Sequence, residues 1–259
     1  MAGFSTEWLA LREPADHATR SVRLTQAVAE AIRPGPPFIL DLAAGTGSNL
    51  RYLISRFPGA GWLLVDHDPT LLARVPRAPD VATRCLDLSR LDDREIFAGR
   101  SLVTASALLD LVSKVWLTTL AGRCAEPHSV VLFALSYDGR IECSPVDHDD
   151  EAIVALVNAH QRTDKGFGPA LGPDATAFAE GCFTNLGYHV ERDRSDWVLR
   201  SEAEALQQQL IDGWASAAAE MAPTRASMID GWRRRRQAHV ATHRSEIMVG
   251  HEDLAGWPL

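Results

Sequence analysis

Three aspartates stand at the ends of three successive apolar runs. Asp41 follows Phe38-Ile39-Leu40, Asp66 follows Trp62-Leu63-Leu64-Val65, and Asp87 closes the stretch from Ala82 to Leu86. The first is followed at once by the turn Ala43-Ala44-Gly45-Thr46-Gly47. Carboxylates accept charge-assisted hydrogen bonds from hydroxyls and amines. Glycines let the backbone bend through left-handed conformations and approach a ligand closely, and free N–H groups at the start of a following helix receive an anion. One aspartate after a strand is an ordinary turn former or helix cap. Three in succession, with a glycine turn at the first, form a binding constellation. It is not a phosphate loop, since no Gly-Lys-Ser/Thr follows. It also lacks the dinucleotide fingerprint, because Leu50 holds the third-glycine place, where helix and strand must pack closely beneath a pyrophosphate.

These residues need elements to hold them. Ser5 or Thr6 can cap a short helix through Leu11, and Pro14 suits the first turn of a longer one over Ala15 to Ile32, stopped by Pro34-Gly35-Pro36-Pro37. In that helix Val22, Thr25, Gln26 and Ala29 share a face. Helical spacing places Leu50, Leu53, Ile54 and Phe57 on one face of a helix over Ser48 to Phe57. Continuous apolar runs at Phe38–Leu40, Trp62–Val65, Leu102–Ala105 and Val130–Leu135 read as strands of a sheet covered on both faces, and Ala82–Leu86 reads as a further strand, third in the series. Helices between them force parallel pairing through right-handed crossovers. The fold class expected is α/β: a doubly wound, Rossmann-like, seven-stranded, mostly parallel sheet with helices on both faces. Further on, Ser136 to Asp150 is polar and loop-like, and Glu151 to His160 and Ala175 to Leu186 read as helices. Tyr188 to Arg194 alternates as a strand. Two late helices, about Ser201 to Met221 and Thr224 to His243, precede a last strand at Ser245 to Gly250.

The stretch Phe38-Ile39-Leu40-Asp41-Leu42-Ala43-Ala44-Gly45-Thr46-Gly47-Ser48 resembles the first motif of class I S-adenosylmethionine-dependent methyltransferases, with Ala43 at the first glycine place. Asp66, 19 residues after Gly47, and Cys85-Leu86-Asp87-Leu88 resemble the second and third motifs in order. The resemblance covers about residues 15 to 136. It implies S-adenosyl-L-methionine as cofactor, held by Asp41, Ala43, Gly45, Thr46, Gly47, Asp66, His67, Asp87, Leu88 and Ser106. In that family the second acid binds both ribose hydroxyls and the third faces the adenine amine. The chemistry suits these residues, because this cofactor has no phosphate and so needs no lysine in the loop. A related α/β nucleotide binder is the other reading. The resemblance further implies one methyltransferase domain over 1–259. Its cofactor-binding core is 33–136, and 1–32, 137–175 and 201–244 form substrate and lid segments.

The reaction expected is in-line methyl displacement onto a small-molecule acceptor. The Asn/Asp-Pro-Pro-Tyr sequence of base and glutamine amine methylation is missing after the fourth strand, where the chain reads Thr104-Ala105-Ser106-Ala107-Leu108-Leu109-Asp110. Candidates for the acceptor side are His160 as general base and Arg20, Tyr137, Arg162 and Lys165 as substrate-binding residues. Glu13, Asp16 and Arg20 lie in an N-terminal region placed to close over the cofactor. The formal charge of −8 opposes nucleic-acid binding. Arg233-Arg234-Arg235-Arg236 does not reverse this, since consecutive residues splay around a helix. No metal is expected: the four cysteines lack clip spacing, and Asp147-His148-Asp149-Asp150 reads as an acidic loop. Met1 to Glu7 has no leader pattern and no apolar run reaches membrane length. The expectation is a cytoplasmic protein with reduced thiols. A non-catalytic S-adenosylmethionine-binding protein, or an RNA or protein methyltransferase, are the alternative functions.

Overall fold

In a computed structural model, which describes residues 4–259, the chain builds one eight-stranded sheet with helices on both faces. The leader reading of Met1 to Glu7 falls in part on residues 1–3, outside the described residues. Two helices come first, α1 (Thr6–Thr19) and α2 (Val22–Ala31). Pro14 lies inside α1 and does not start a helix. The break falls instead at Arg20, whose extended backbone turns its guanidinium inward, and Ser21 then caps α2 by accepting from the Leu24 N–H at 3.1 Å. The buried face of α2 is Leu24, Thr25 and Val28, while Val22, Gln26 and Ala29 face outward.

The core then runs β1 (Phe38–Leu42), α3 (Ser48–Leu53), β2 (Gly61–Asp66), α4 (Pro69–Leu72), β3 (Val81–Cys85), β4 (Leu102–Ser106), α5 (Lys114–Ala125) and β5 (Val130–Ser144). It continues through α6 (Asp150–Gln161), α7 (Ala175–Asn185), β6 (Tyr188–Arg194), β7 (Trp197–Leu199), α8 (Glu204–Met221), α9 (Ala226–Ala241) and β8 (Glu246–Pro258). Strand order is β3-β2-β1-β4-β5-β8-β6, with β7 added against β8. The first five strands pair in parallel, while β8 runs antiparallel to β5, β6 and β7. The eighth strand, β7, is one more than the seven expected. Its three residues are too few for alternation to show in a sequence.

The stretch Ser136 to Ser144, expected as loop, continues β5 instead. It pairs antiparallel with Glu246–Glu252, past irregularities between Phe133 and Ser136 and between Tyr137 and Ile141. Tyr137, Ile141 and Cys143 turn toward a helical layer, and Glu142 and Ser144 face water. A period of two was therefore present, but the irregularities broke it. The last strand likewise extends past Gly250 to Pro258. Leu40 and Leu42 feed the core beneath α5 and α7, while Ile39 feeds the one beneath α2 and α3. A third core, around Trp214 and Trp232, joins α6, α8 and α9 to the far halves of β5 and β8.

The late arginines and the acidic loop partner each other. Arg235 donates to Asp147 at 2.6 Å and Asp149 at 2.7 Å. Arg236, wholly buried, pairs with Asp150 and donates to the Pro145 carbonyl. No helix among the described residues is long and apolar enough to cross a membrane.

Candidate functional site

The parallel strands place their carboxyl ends in one row, and the turn after β1 sits at the middle of it. Ala43, Gly45 and Gly47 all hold positive φ, at 51°, 53° and 81°. That is why glycines occur here, and why an alanine at the first of these places is tolerated only with local strain. The turn leads into α3, whose N-cap is Gly47. Asp66, at the end of β2, accepts from the Gly45 N–H at 2.8 Å and the Asp68 N–H at 2.9 Å, with His67 Nδ1 3.2 Å away. It is thereby locked against the glycine turn, and each carboxylate oxygen keeps a lone pair for a second donor. Asp87 lies further along the row, exposed. Bonds from the Ser89 N–H and hydroxyl hold its carboxyl below the usual range. Leu88 is buried, and its carbonyl accepts from Trp116 Nε1. Ser106 stands half-buried at the end of β4.

Asp41 is completely buried. Its Oδ1 accepts from Asn49 Nδ2 at 2.8 Å, and Asn49 Oδ1 accepts from Arg20 Nη1 at 3.0 Å. Burial pushes the Asp41 carboxyl up to about 7, opposed by the Asn49 bond and the nearby Arg20 charge. Asp41 Oδ2 and Arg20 Nη2 are both buried without a hydrogen-bond partner. Arg20 also lies 3.5 Å from Asp253 and stacks over the Tyr52 ring. One residue from β1, one from α3 and one from the α1–α2 junction thus meet in a polar chain with a free acceptor at one end and a free donor at the other.

Helix α1 covers this region. Leu9 would touch a Cβ at Gly45, Glu13 pairs with Arg51 of α3, and His17 Nε2 lies 3.1 Å from the Ser48 carbonyl. Arg51 donates to the Thr46 carbonyl at 2.7 Å, which ties the turn into the same clamp. On the other side of α1, Trp8 and Arg12 face a cavity of about 230 Å³. Its walls include Asp110, Tyr137, Trp197, Trp214 and His251, with Ala107 just past the end of β4 and Leu135 at the irregularity within β5. The crevice and the cavity are therefore neighbours beneath one helix.

Of the acceptor-side candidates, the structure brings Tyr137 to the cavity wall, with its hydroxyl donating to Asn158 at 2.8 Å. Burial raises the phenol above its ordinary range, so it acts as a neutral donor. Arg20 belongs to the Asp41 chain. His160, Arg162 and Lys165 are not brought to the cavity. Val157 and Gln161 of α6 line it, and His160, about 100° around the helix from Gln161, turns to Glu220 at 3.1 Å and to Lys165 Nζ at 3.2 Å. Arg162 reaches Asp174 instead. The residues that sequence reasoning missed, Arg12, Asn49, Trp197 and His251, come from elements far apart in the chain. Asp110 was adjacent to a quoted motif but carried no local signal.

No family model and no curated protein matches the chain in sequence. Solved structures share its fold. The cyclopropane synthase MmaA2 of Mycobacterium tuberculosis superposes with a TM-score of 0.50 at 11% identity, over 97% of this chain and 94% of that one. The YcgJ protein of Bacillus subtilis does so with 0.50 at 11% identity, over 91% and 98%. The doubly wound, Rossmann-like α/β fold expected from the order of strands and helices is thus the fold observed.

Proposed function

We propose that the chain is an S-adenosyl-L-methionine-dependent methyltransferase acting on a small-molecule acceptor, organised as one domain with a core over 33–136 and covering segments at 1–32, 137–175 and 201–244. The observation that carries this reading is the Arg20–Asn49–Asp41 chain beside the left-handed turn. Its unpaired guanidinium N–H and unpaired carboxylate oxygen complement a group that bears both a carboxylate and an ammonium. Buried polar atoms without partners are costly, at about 1–3 kcal/mol each, so a ligand that satisfies both gains that amount back. The amino-acid end of the cofactor is such a group. Asp66 then offers its remaining lone pairs to the two ribose hydroxyls, and the resemblance assigns Asp87 to the adenine amine. Ala43, Thr46, Gly45 and Gly47 supply the close backbone, and His67, Leu88 and Ser106 line the flanks.

The cofactor, when bound, supplies a methyl group on a sulfonium that is already activated. The remaining work of the protein is positioning and exclusion of water. Helix α1, clamped by Glu13–Arg51, shields the crevice, and Trp8, Trp197 and Trp214 wall off the cavity beside it. A cavity of this size holds a metabolite, and the formal charge of −8 favours such an acceptor over RNA.

Incubation of the purified protein with methyl-deuterated S-adenosylmethionine and a metabolite extract tests this. A small molecule carrying a trideuteromethyl group is the expected product. Label found in RNA or protein alone moves the reading to a macromolecular acceptor, and tight cofactor binding with no labelled product at all moves it to a non-catalytic binder.

A further inference from the structure

The cavity beneath α1 has three buried polar atoms with no partner: Asp110 Oδ1, Trp197 Nε1 and His251 Nδ1. Asp110 and His251 are each more than nine-tenths buried. Three unmet atoms at one small cavity mark a place built around a polar guest.

The charges on its wall decide which guest. Arg12 is neutralised by a two-point bond to Asp16, at 2.9 and 3.1 Å, and its guanidinium lies 4.9 Å from the centre of the Trp197 ring. His251 packs on Trp197 and Tyr137, and burial pushes its pKa down to about 3, so the imidazole is neutral. Arg12, and more weakly Lys165, act on Asp110 only through space, with neither forming an ion pair to it. Asp110 is left as the one unpaired formal charge on the wall, and burial raises its carboxyl to about 6. The indoles of Trp8 and Trp214 line the same cavity. A carboxylate among aromatic rings favours an ammonium or amine over a neutral or anionic group. A carboxylate guest would meet the Asp110 charge with only Arg12, already paired to Asp16, as a cation on the wall, while a neutral hydroxyl would satisfy Asp110 with a weaker bond.

We propose that this cavity is the methyl-acceptor site and that it selects a small amine, whose N–H is received by Asp110, which takes the proton the ammonium must give up before its nitrogen lone pair can accept a methyl group, while Trp197 Nε1 donates to an oxygen or water beside it. The inference rests on the methyl-transfer reading for the word acceptor, but the amine preference rests on the cavity alone.

Three probes of one shape separate the possibilities: benzylamine, benzyl alcohol and benzoate, titrated calorimetrically into the full-length protein at neutral pH. Benzylamine is expected to bind at least tenfold more tightly than either of the others. Asp110→Asn is expected to abolish that preference while leaving benzyl alcohol binding within about threefold of the unaltered protein. Equal affinities, a preference for benzoate, or no binding of any probe up to millimolar concentration overturns the proposal. If Asp110→Asn does not fold, the ranking in the unaltered protein decides alone. S-adenosylhomocysteine titrated into the same sample reads the cofactor assignment separately. Its failure to bind, with the amine ranking intact, overturns the methyl-transfer reading and the word acceptor, and leaves the amine site standing. Its binding without an amine preference overturns the amine site only.

Discussion

At the scale of single residues, the buried carboxyl of Asp41 ties site and stability together. Its folded pKa, about 7, stands well above its ordinary 3.8, with burial as the main cause. The folded chain therefore holds a proton that the unfolded chain releases between about pH 4 and pH 7. Stability conferred by this group is constant below pH 4 and falls as pH rises toward 7. Asp110, raised to about 6, adds a smaller fall over a narrower window. Asp41→Asn is expected to flatten the decline in unfolding free energy, read by urea denaturation between pH 4 and 7, by an amount on the order of 4 kcal/mol. A decline of unaltered steepness in that variant refutes the assignment. The part of this site that could be read in the sequence is the part that is local. Asp41, Gly45, Gly47 and Asp66 follow strand ends within a few residues of one another, and backbone geometry alone demands their types. Arg20 and Asn49 complete the same constellation from 29 residues apart, and Asp253 reaches the Ser21 N–H across 232. No periodicity marks a pairing that only the folded sheet creates.

At the scale of elements, the late helices show what composition leaves out. Four consecutive arginines appear to be a basic surface, and three aspartates around a histidine appear to be an acidic loop or an ion site. The fold sets them against each other: Arg235 takes Asp147 and Asp149, and Arg236 takes Asp150 at the first turn of α6. The Arg235 bonds hold the Asp147 carboxyl far below the ordinary carboxylate range. Arg236 is sealed from water, so its removal leaves Asp150 with a poorly compensated charge and Trp232 Nε1 as its remaining side-chain donor. Arg236→Ala is expected to cost about 3 kcal/mol in chemical denaturation, within the usual range for breaking a buried pair. A loss below about 1 kcal/mol contradicts the buried role. Strands with unbroken apolar runs were legible, because both their faces are covered. The second half of β5 and the short β7 were not, since one face of β5 meets water, its register shifts twice, and β7 spans only three residues.

At the scale of the whole molecule, the sheet order gathers one row of carboxyl ends, and α1 lies across two neighbouring hollows on it. One holds the unpartnered atoms of Asp41 and Arg20 in the row that Asp66 shares, and the other is a cavity lined by Asp110 and indoles. The formal charge of −8 is not spread evenly over a surface. Asp41, Asp66 and Asp110 are buried at these two hollows, and the acidic loop is spent on arginines. The central claim is that the first hollow binds S-adenosylmethionine. Calorimetric titration with its demethylated product, S-adenosylhomocysteine, tests this most directly, on the unaltered protein and on Asp66→Asn and Arg20→Met. Micromolar one-to-one binding is predicted, weakened tenfold or more by each substitution, with the two variants still folded by circular dichroism. Affinity unchanged in both folded variants, or no binding by the unaltered protein, would contradict the account.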